Sequence, residues 1–250
     1  MSTPSNSVGT ADALSDGDPL AGGAPAERSD SGNLRTVERA LRLAHALATA
    51  EHGLTLSAAA RDVRLPTSTT ARLLKALEAC RFAWRDPAGQ YHPGSSLLQV
   101  GALALGQLPM YKLAEVHLRE LAEFTGETAY LAVPDGRDQA LYLRQVESPR
   151  AIRHASWAGR AISTPGTAVG AALAGRVNDE GFAESRATAI EPDAAAVAAP
   201  VYDGTGDIVA GLSIIGPSFR ISDEELYRFG GAIARHAREL STELGGQRPR

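Results

Sequence analysis

The sequence predicts an α+β protein that begins with a small helical domain and continues with a domain built on an antiparallel sheet. Between residues 33 and 94, three helical patterns precede two short strand patterns that flank a turn. From residue 110 onward, strand and helix patterns alternate, and turn-forming residues separate neighbouring strands. Such a mixture is typical of an α+β domain.

Charge is distributed unevenly along the chain, whose formal net charge is −4. Residues 1–32 and 95–250 each carry a net charge of −4, whereas residues 33–94 carry nine basic side chains against five acidic ones. A cationic segment inside an acidic protein is the electrostatic footprint of a DNA-contacting module. A solvated charged surface would produce the same imbalance.

The composition disfavours several classes of protein. The one cysteine, Cys80, excludes an intrachain disulfide framework and is interpreted as a buried structural residue. The six histidines show no metal-ligand spacing, so we expect no metal site and no cofactor. Motifs for a nucleophile elbow or a phosphate loop are missing, so we expect no catalytic residues and no enzyme. We expect a cytoplasmic protein without a membrane partner, since no leader-like start or long apolar run is found.

The two ends of the chain are predicted to be disordered tails, at residues 1–32 and 246–250. The first of these is rich in Ser, Gly, Pro, Ala and Asp and lacks apolar periodicity. Such a segment cannot bury enough apolar surface to offset the entropy lost on ordering.

Three helices are predicted after the tail. Apolar residues recur with a period of 3.6 between 36 and 53, which indicates an amphipathic helix. A short helix follows over residues 57–63, with Ser57 as its N-cap. The turn at 64–66 ends it, and a third helix runs from there to about residue 80 because proline suits a first helical turn.

A β-hairpin is predicted next, with strands at 82–85 and 90–93 around the turn-forming residues 86–89. Three helices followed by a hairpin form a winged helix-turn-helix, which we place at residues 33–94. An apolar helical pattern at 95–109 is predicted to be a linker helix.

The second domain, residues 110–245, is predicted to mix helices with antiparallel strands. Ser222 and Glu225 form a capping-box pattern at the start of the last helix. The predicted elements are a helix at 112–125, strands at 128–133, 140–146 and 152–156, a helix at 167–174, a hairpin at 197–202 and 208–214, and a helix ending near 244.

Seven short motifs occur in order along the chain. They are Thr-Val-Glu-Arg-Ala-Leu at 36–41, Leu-Pro-x-Ser-Thr-x-x-Arg-Leu-Leu at 65–74, Arg-Asp-Pro-x-Gly-x-Tyr at 85–91, Thr-Gly-Glu-Thr at 125–128, Glu-Ser-Pro-Arg at 147–150, Ala-Pro-Val at 199–201, and Ser-x-x-Gly-Pro-x-x-Arg at 213–220. Together they resemble the IclR family of bacterial transcription regulators, over about residues 33–245. The resemblance implies a winged helix-turn-helix joined to a GAF- or PAS-like effector-binding domain. It also implies a homodimer or homotetramer that binds double-stranded operator DNA under the control of a small-molecule effector.

The third helix of the first domain corresponds to the recognition helix. Hydroxyls and free backbone N–H groups in its first turn suit phosphate oxygens and base edges. Arg72 follows one turn later and suits a phosphate or a guanine edge, whereas Thr70 is expected to bond back to the preceding turn. Ordinary N-capping is the alternative interpretation of the Ser/Thr run. The residues predicted to bind DNA are Thr67, Ser68, Thr69, Arg72, Lys75 and Arg85.

The resemblance places the effector pocket on one face of the sheet. The candidates to line it are Tyr130, Trp157, Thr167, Arg186 and Ser213. Arg186 is predicted to pair with a ligand carboxylate and Trp157 to supply an apolar wall. The alternative is that these five are ordinary core or surface residues that contact no ligand.

Two departures from the family weaken the predicted sensor. Positions that usually carry His and Lys are Pro165 and Ala171 here. About thirty residues that family members usually carry between Gly175 and Gly181 are missing. The pocket is therefore expected to be shallower and more open, or effector sensing has been lost.

The predicted function is sequence-specific transcription regulation, with repression favoured as the commoner mode in this family. The alternative is a ligand-responsive or scaffolding protein that has lost effector or operator binding. DNA affinity that falls steeply with salt would support the regulator, because phosphate contacts release counterions.

Overall fold

A computed structural model describes residues 26–246 except 155 and 189, and the side chains only from residue 33. The chain consists of two compact units, which meet in sequence between Gln99 and Val100. The predicted tails fall largely outside the described residues. No helix within the described part is long and apolar enough to cross a membrane.

The first unit contains the three predicted helices, α1 (Ala26–Thr49), α2 (Leu56–Asp62) and α3 (Thr67–Ala79). Helix α1 begins at Ala26, so the expectation of a disordered tail is wrong for residues 26–32. Ser-Asp-Ser-Gly-Asn at 29–33 has low helix propensity, so the extension is explained by cooperativity, because extending an existing helix costs little compared with nucleating one.

The ends of the short helices differ in detail from the prediction. Thr55, not Ser57, caps α2, because its hydroxyl accepts a hydrogen bond from the Ala58 N–H at 3.2 Å. Arg64 then adopts a left-handed conformation with φ of 53°, which turns the chain into α3. Cys80 is the C-cap of α3 and is exposed, so its interpretation as a buried residue is wrong.

The predicted hairpin follows as β1 (Ala83–Arg85) and β2 (Tyr91–Pro93), which pair antiparallel. Leu54 adds an isolated bridge to Tyr91, so the strand end is tied to the segment between α1 and α2. Helix α4 (Ser95–Gly106) comes next, and the boundary between the two units lies inside it.

The core of the first unit is a cluster of aliphatic side chains contributed by all three helices and the hairpin. Leu43 and Leu47 of α1 and Leu74 of α3 are fully buried in it, together with Ala59 of α2. Leu73 and Leu74 project from the same face of α3, so burying them fixes which face of the helix remains in solvent.

In the second unit, six described strands form one antiparallel sheet in the order β5-β4-β3-β8-β7-β6. The elements in chain order are α5 (Pro109–Thr125), β3 (Thr128–Pro134), β4 (Gln139–Val146), β5 (Ala161–Ser163), α6 (Ala168–Leu173), β6 (Ala183–Arg186), β7 (Ala194–Tyr202), β8 (Ile208–Pro217) and α7 (Asp223–Glu243). Ser222 and Glu225 form the predicted capping box at the start of α7.

Alternating side chains give the sheet two buried faces. Leu131, Val197 and Leu212 pack under α5 and α7 on one face. Their neighbours Tyr130 and Ala198 point to the other face, where α6 covers them. The candidate ligand cavity lies on this second face.

Two strands differ from the prediction. The segment 152–156 is a loop where it is described, and the third strand lies at Ala161–Ser163 instead. In the loop, His154 turns inward to bond the hydroxyl of Tyr130, whereas Ile152 is exposed. Strand β6 was not predicted, because its four residues are too few to show a period.

A fully buried carboxylate, Glu127, joins three of the sequence motifs. Arg220 binds it through two nitrogens, at 2.7 and 2.6 Å, and Arg150 binds it through a third contact of 2.7 Å. The hydrogen bond to Glu127 raises the pKa of Arg220. Glycine is required at 216, since a Cβ there would lie 2.4 Å from a Glu127 oxygen.

Candidate DNA-binding surface and ligand cavity

The start of helix α3 is open to solvent. Pro66 is its N-cap and provides no side-chain hydrogen bond, so the first backbone N–H groups have no side-chain cap in the described chain. Thr67 and Ser68 are exposed and Thr69 is half-buried. The hydroxyl of Thr70 is buried and donates to the Pro66 carbonyl at 3.1 Å, as predicted. The first turn therefore presents N–H and hydroxyl donors that suit phosphate oxygens.

A polar row extends this surface along the helix. Ser68, Arg72 and Lys75 are exposed and lie at spacings of four and three residues, so they share one face of α3. The opposite face carries the buried Leu73 and Leu74. The packing of the core thus determines the direction in which this row points.

The hairpin holds Arg85 in a defined position. Its Nε donates to the Gly89 carbonyl at 3.3 Å, and its guanidinium lies 5.4 Å from the centre of the Tyr91 ring. The neighbouring Trp84 is half-exposed and stacks on His92, with ring centres 4.8 Å apart. Arg85 is therefore a cation whose position is defined by contacts within the hairpin.

His92 also anchors the turn of the hairpin. Its Nε2 lies 3.0 Å from a carboxylate oxygen of Asp86. This contact and the Gln90 N–H lower the pKa of Asp86. The Asp86 carboxylate therefore stays ionised, and its hydrogen bonds stabilise the turn of the hairpin.

Sequence reasoning missed two exposed arginines beside the start of α3. Arg61 and Arg64 line a shallow groove with Ser57 and Thr67. Their place next to the first turn of α3 depends on the left-handed conformation at Arg64, which the sequence pattern did not reveal.

A small cavity of about 30 Å³ lies between α6 and the second face of the sheet. Three of the five predicted effector residues line it, namely Trp157, Thr167 and Ser213. Its volume holds about two water molecules. The cavity is therefore small and only partly enclosed.

The other two predicted effector residues lie elsewhere. Tyr130 is fully buried beneath the cavity and packs on Tyr142, with ring centres 4.8 Å apart. Arg186 lies away from the cavity and binds the carbonyl of Ile221 at 2.8 Å and the carboxylate of Asp223 at 2.9 Å. Its predicted contact with a ligand is corrected, because the register of β6 directs the preceding residue, Ser185, to the cavity.

A buried chain of polar groups runs beside the cavity. The Tyr130 hydroxyl donates to His154 Nδ1 at 2.6 Å, and His154 Nε2 donates to the carboxylate of Glu191, which lines the cavity. Burial raises the pKa of Tyr130.

Ser213 and Tyr142 supply hydroxyls to the same wall. The Ser213 Oγ is buried and makes no hydrogen bond of good geometry with a described residue. Burial raises the pKa of Tyr142, and the nearby Ser213 hydroxyl lowers it in part. A buried hydroxyl that has no well-aligned partner can bond a ligand or water in the cavity beside it.

Among the residues that line this cavity, sequence reasoning missed Tyr142, Ser185, Thr188 and Glu191. Strand alternation places Tyr142 on the face of Ala140, but which face is inward depends on a register that the sequence does not show. Thr188 and Glu191 lie on a loop, where no period exists.

A winged helix-turn-helix with a polar recognition helix, followed by a sheet domain with an internal cavity, defines a DNA-binding transcription regulator with a sensor-type domain. The sequence profile of the IclR helix-turn-helix domain matches residues 36–87. The profile described as the bacterial transcriptional regulator IclR C-terminal domain matches residues 102–188 and 175–242. The chain belongs to the IclR family.

Individual relatives agree with this assignment. The HTH-type transcriptional regulator BhcR of Paracoccus denitrificans is 31% identical over 88% of this chain and 90% of its own. The HTH-type transcriptional repressor AllR of Escherichia coli K12 is 27% identical over 84% of this chain and 90% of its own. An IclR transcriptional regulator structure from Alicyclobacillus acidocaldarius superposes with a TM-score of 0.71, covering 85% of this chain and 99% of that one at 23% identity.

The comparisons also locate the shortened segment. The alignment with BhcR spans 256 positions, although it covers only 88% of the 250 residues of this chain. The relative therefore has residues that this chain lacks. The two matches to the C-terminal profile overlap at 175–188, a segment that follows α6 and includes β6. The alignment length shows a shortening relative to BhcR, and the overlap favours a position for it near this segment.

Proposed function

We propose that the protein represses transcription in the cytoplasm by binding operator DNA through α3 and the hairpin, under the control of a ligand in the second unit. The proposed DNA binding rests on the exposed row of Ser68, Arg72 and Lys75, which lies opposite the buried face of α3. Repression is proposed because the relative AllR is named a transcriptional repressor.

Replacing Arg72 by Ala is expected to weaken operator binding by roughly 1–3 kcal/mol, because a phosphate or guanine contact is lost. Fluorescence anisotropy with labelled operator fragments, at several salt concentrations, measures the change. Arg137→Ala is the matched control, since this exposed arginine lies on a turn of the second unit. Equal affinities for the Arg72→Ala protein and the wild type would contradict the proposed recognition surface.

A homodimer or homotetramer is proposed on the basis of helix α4. Leu98, Val100 and Leu103 are all more than half exposed, and no described residue of this helix is buried. An apolar helix left in solvent is typical of a protein interaction surface. Light scattering of the purified protein measures the oligomeric state.

The cavity favours a ligand with hydrogen-bond donors or a positive charge. Among its described lining residues, Glu191 is the charged one, and it carries a carboxylate. Tyr142 and Trp157 add aromatic surfaces, which attract cations. Since the cavity is much smaller than the roughly 300 Å³ of an ordinary ligand site, binding requires its wall to open.

Ethanolamine is therefore expected to bind more tightly than glycolate, which has similar size and the opposite charge. The chain has two tryptophans, so a Trp84→Phe variant reports on Trp157 alone. We expect a saturable change in its emission with ethanolamine, absent in Glu191→Gln because the counter-charge is lost. A response to glycolate alone would contradict the ligand class. A response to neither would favour the alternative in which effector binding has been lost.

A further inference from the structure

Two buried histidines face each other between helices α5 and α7, on the sheet face away from the cavity. His117 on α5 is 5% exposed and His236 on α7 is 2% exposed. Their Nδ1 atoms lie 3.1 Å apart. The rings meet edge to face, with centres 5.3 Å apart.

Carboxylates surround this point. The Glu239 Oε2 lies 3.5 Å from His236 Nδ1 and 3.9 Å from His117 Nδ1. The Glu120 Oε2 lies 3.8 Å from His236 Nδ1. These residues come from both helices, and His236 and Glu239 are one turn apart on α7.

We propose that His117, His236 and Glu239 form a binding site for a divalent transition metal of the zinc type, with Glu120 or water as the fourth ligand. A tetrahedral metal with bonds of about 2.0–2.2 Å to nitrogen and oxygen separates its ligand atoms by roughly 3.3–3.6 Å. The three observed separations, 3.1, 3.5 and 3.9 Å, bracket that distance. Imidazole and carboxylate ligands suit Zn²⁺ and Co²⁺.

The surroundings also fit a metal site. The Glu243 Oε1 lies 3.5 Å from His117 Nε2, where an outer carboxylate holds a ligating imidazole in orientation.

Without a metal, the same groups form a hydrogen-bonded chain. The Arg235 Nη2 donates to His236 Nε2 at 3.1 Å, which places the His236 proton on Nδ1, where it is donated to His117 Nδ1. Loading the metal frees both Nδ1 atoms and moves the His236 proton to Nε2. Arg235 must then move away, and its exposed side chain can do so without disturbing the core.

A metal at this position would link the two helices that cover one face of the sheet. It would thus stabilise the second unit independently of the ligand cavity. Sequence spacing did not reveal the site, because its two histidines are separated by 119 positions. The expectation of a chain without metal ligands rested on spacing alone.

Cobalt and zinc titrations of the full-length protein test the proposal. The protein is stripped with chelator, freed of any histidine tag and titrated with Co²⁺, whose tetrahedral complexes absorb in the visible range. We expect one equivalent per chain, displaced by Zn²⁺, and a higher Tm when zinc is present. Loss of one ligand is expected to weaken binding by more than the roughly 10–100-fold that an outer partner contributes.

His117→Ala and His236→Ala are the direct variants, and His52→Ala is the matched control because His52 is exposed in the first unit. Glu239→Gln removes a ligand at an exposed position, so it separates lost metal binding from misfolding. Wild-type affinity in both His117→Ala and Glu239→Gln would overturn the proposal. So would a cobalt spectrum without tetrahedral bands, or less than half an equivalent bound.

Discussion

Replacing Glu127 by Ala is expected to lower the free energy of unfolding of the second unit by about 3–5 kcal/mol, the usual effect of breaking a buried ion pair. Glu127 is fully buried and accepts two hydrogen bonds from Arg220 and one from Arg150. Without the carboxylate, Arg220 would keep its charge while only 18% of its side chain is exposed. Most of the lost stability therefore comes from Arg220, which keeps its charge but loses its carboxylate partner.

Urea unfolding of a Trp84→Phe protein, followed through Trp157 emission, measures this change in the second unit. Glu147→Ala is the control, because Glu147 pairs with Arg153 at 2.9 Å and both side chains are more than 40% exposed. We expect that control to change the unfolding free energy by less than about 1 kcal/mol. Similar midpoints for the two variants would show that the buried network contributes little.

The hydrogen-bond network around Glu127 explains the structural role of three sequence motifs. The motifs at 125–128, 147–150 and 213–220 identified the family, but their joint role was hidden. Ser148 donates to the Gly126 carbonyl at 2.6 Å, and Arg220 reaches a carboxylate 93 positions away. Glu127, Ser148, Arg150 and Arg220 lie beyond the ends of strands and stabilise the fold, whereas Ser213 of the third motif lines the cavity. Nothing local in the sequence distinguishes these two roles.

Helices were predictable because their signals are local. An apolar period identified α1, a proline suited to a first helical turn marked the start of α3, and the Ser222 capping box marked the start of α7 from side chains three residues apart. Thr70 was also assigned correctly, since its partner is one turn away. The exposed polar row of α3 follows from the same reasoning, because burial of one helix face leaves the opposite face in solvent.

The cavity was predictable only in part, because it depends on strand register and on loops. A shift of one residue in β6 exchanges Ser185 for Arg186, and the sequence contained no signal for that choice. Glu191 and His154 meet through a contact 37 positions apart. The metal site has the same origin, since packing of α5 on α7 brings its histidines together.

Replacing Leu74 by Ala is expected to destabilise the first unit by about 2–5 kcal/mol, through the lost transfer free energy and the cavity left behind. Leu74 is fully buried against Leu43 and Leu47. A Trp157→Phe background leaves Trp84 of the hairpin as the reporter for urea unfolding. Leu41→Ala is the matched control, because Leu41 lies on α1 and is 62% exposed.

The comparison of Leu74→Ala with Arg72→Ala separates positioning from contact, since the two residues lie on opposite faces of α3. Arg72→Ala should weaken operator binding at every temperature while leaving the unfolding midpoint unchanged. Leu74→Ala should bind almost normally in the cold, where the unit remains folded, and lose affinity as its lowered midpoint is approached. If Leu74→Ala bound weakly even far below its midpoint, the helix would be displaced within the folded state. The buried face of α3 would then determine the orientation of Ser68, Arg72 and Lys75 within the folded unit, in addition to the stability of that unit.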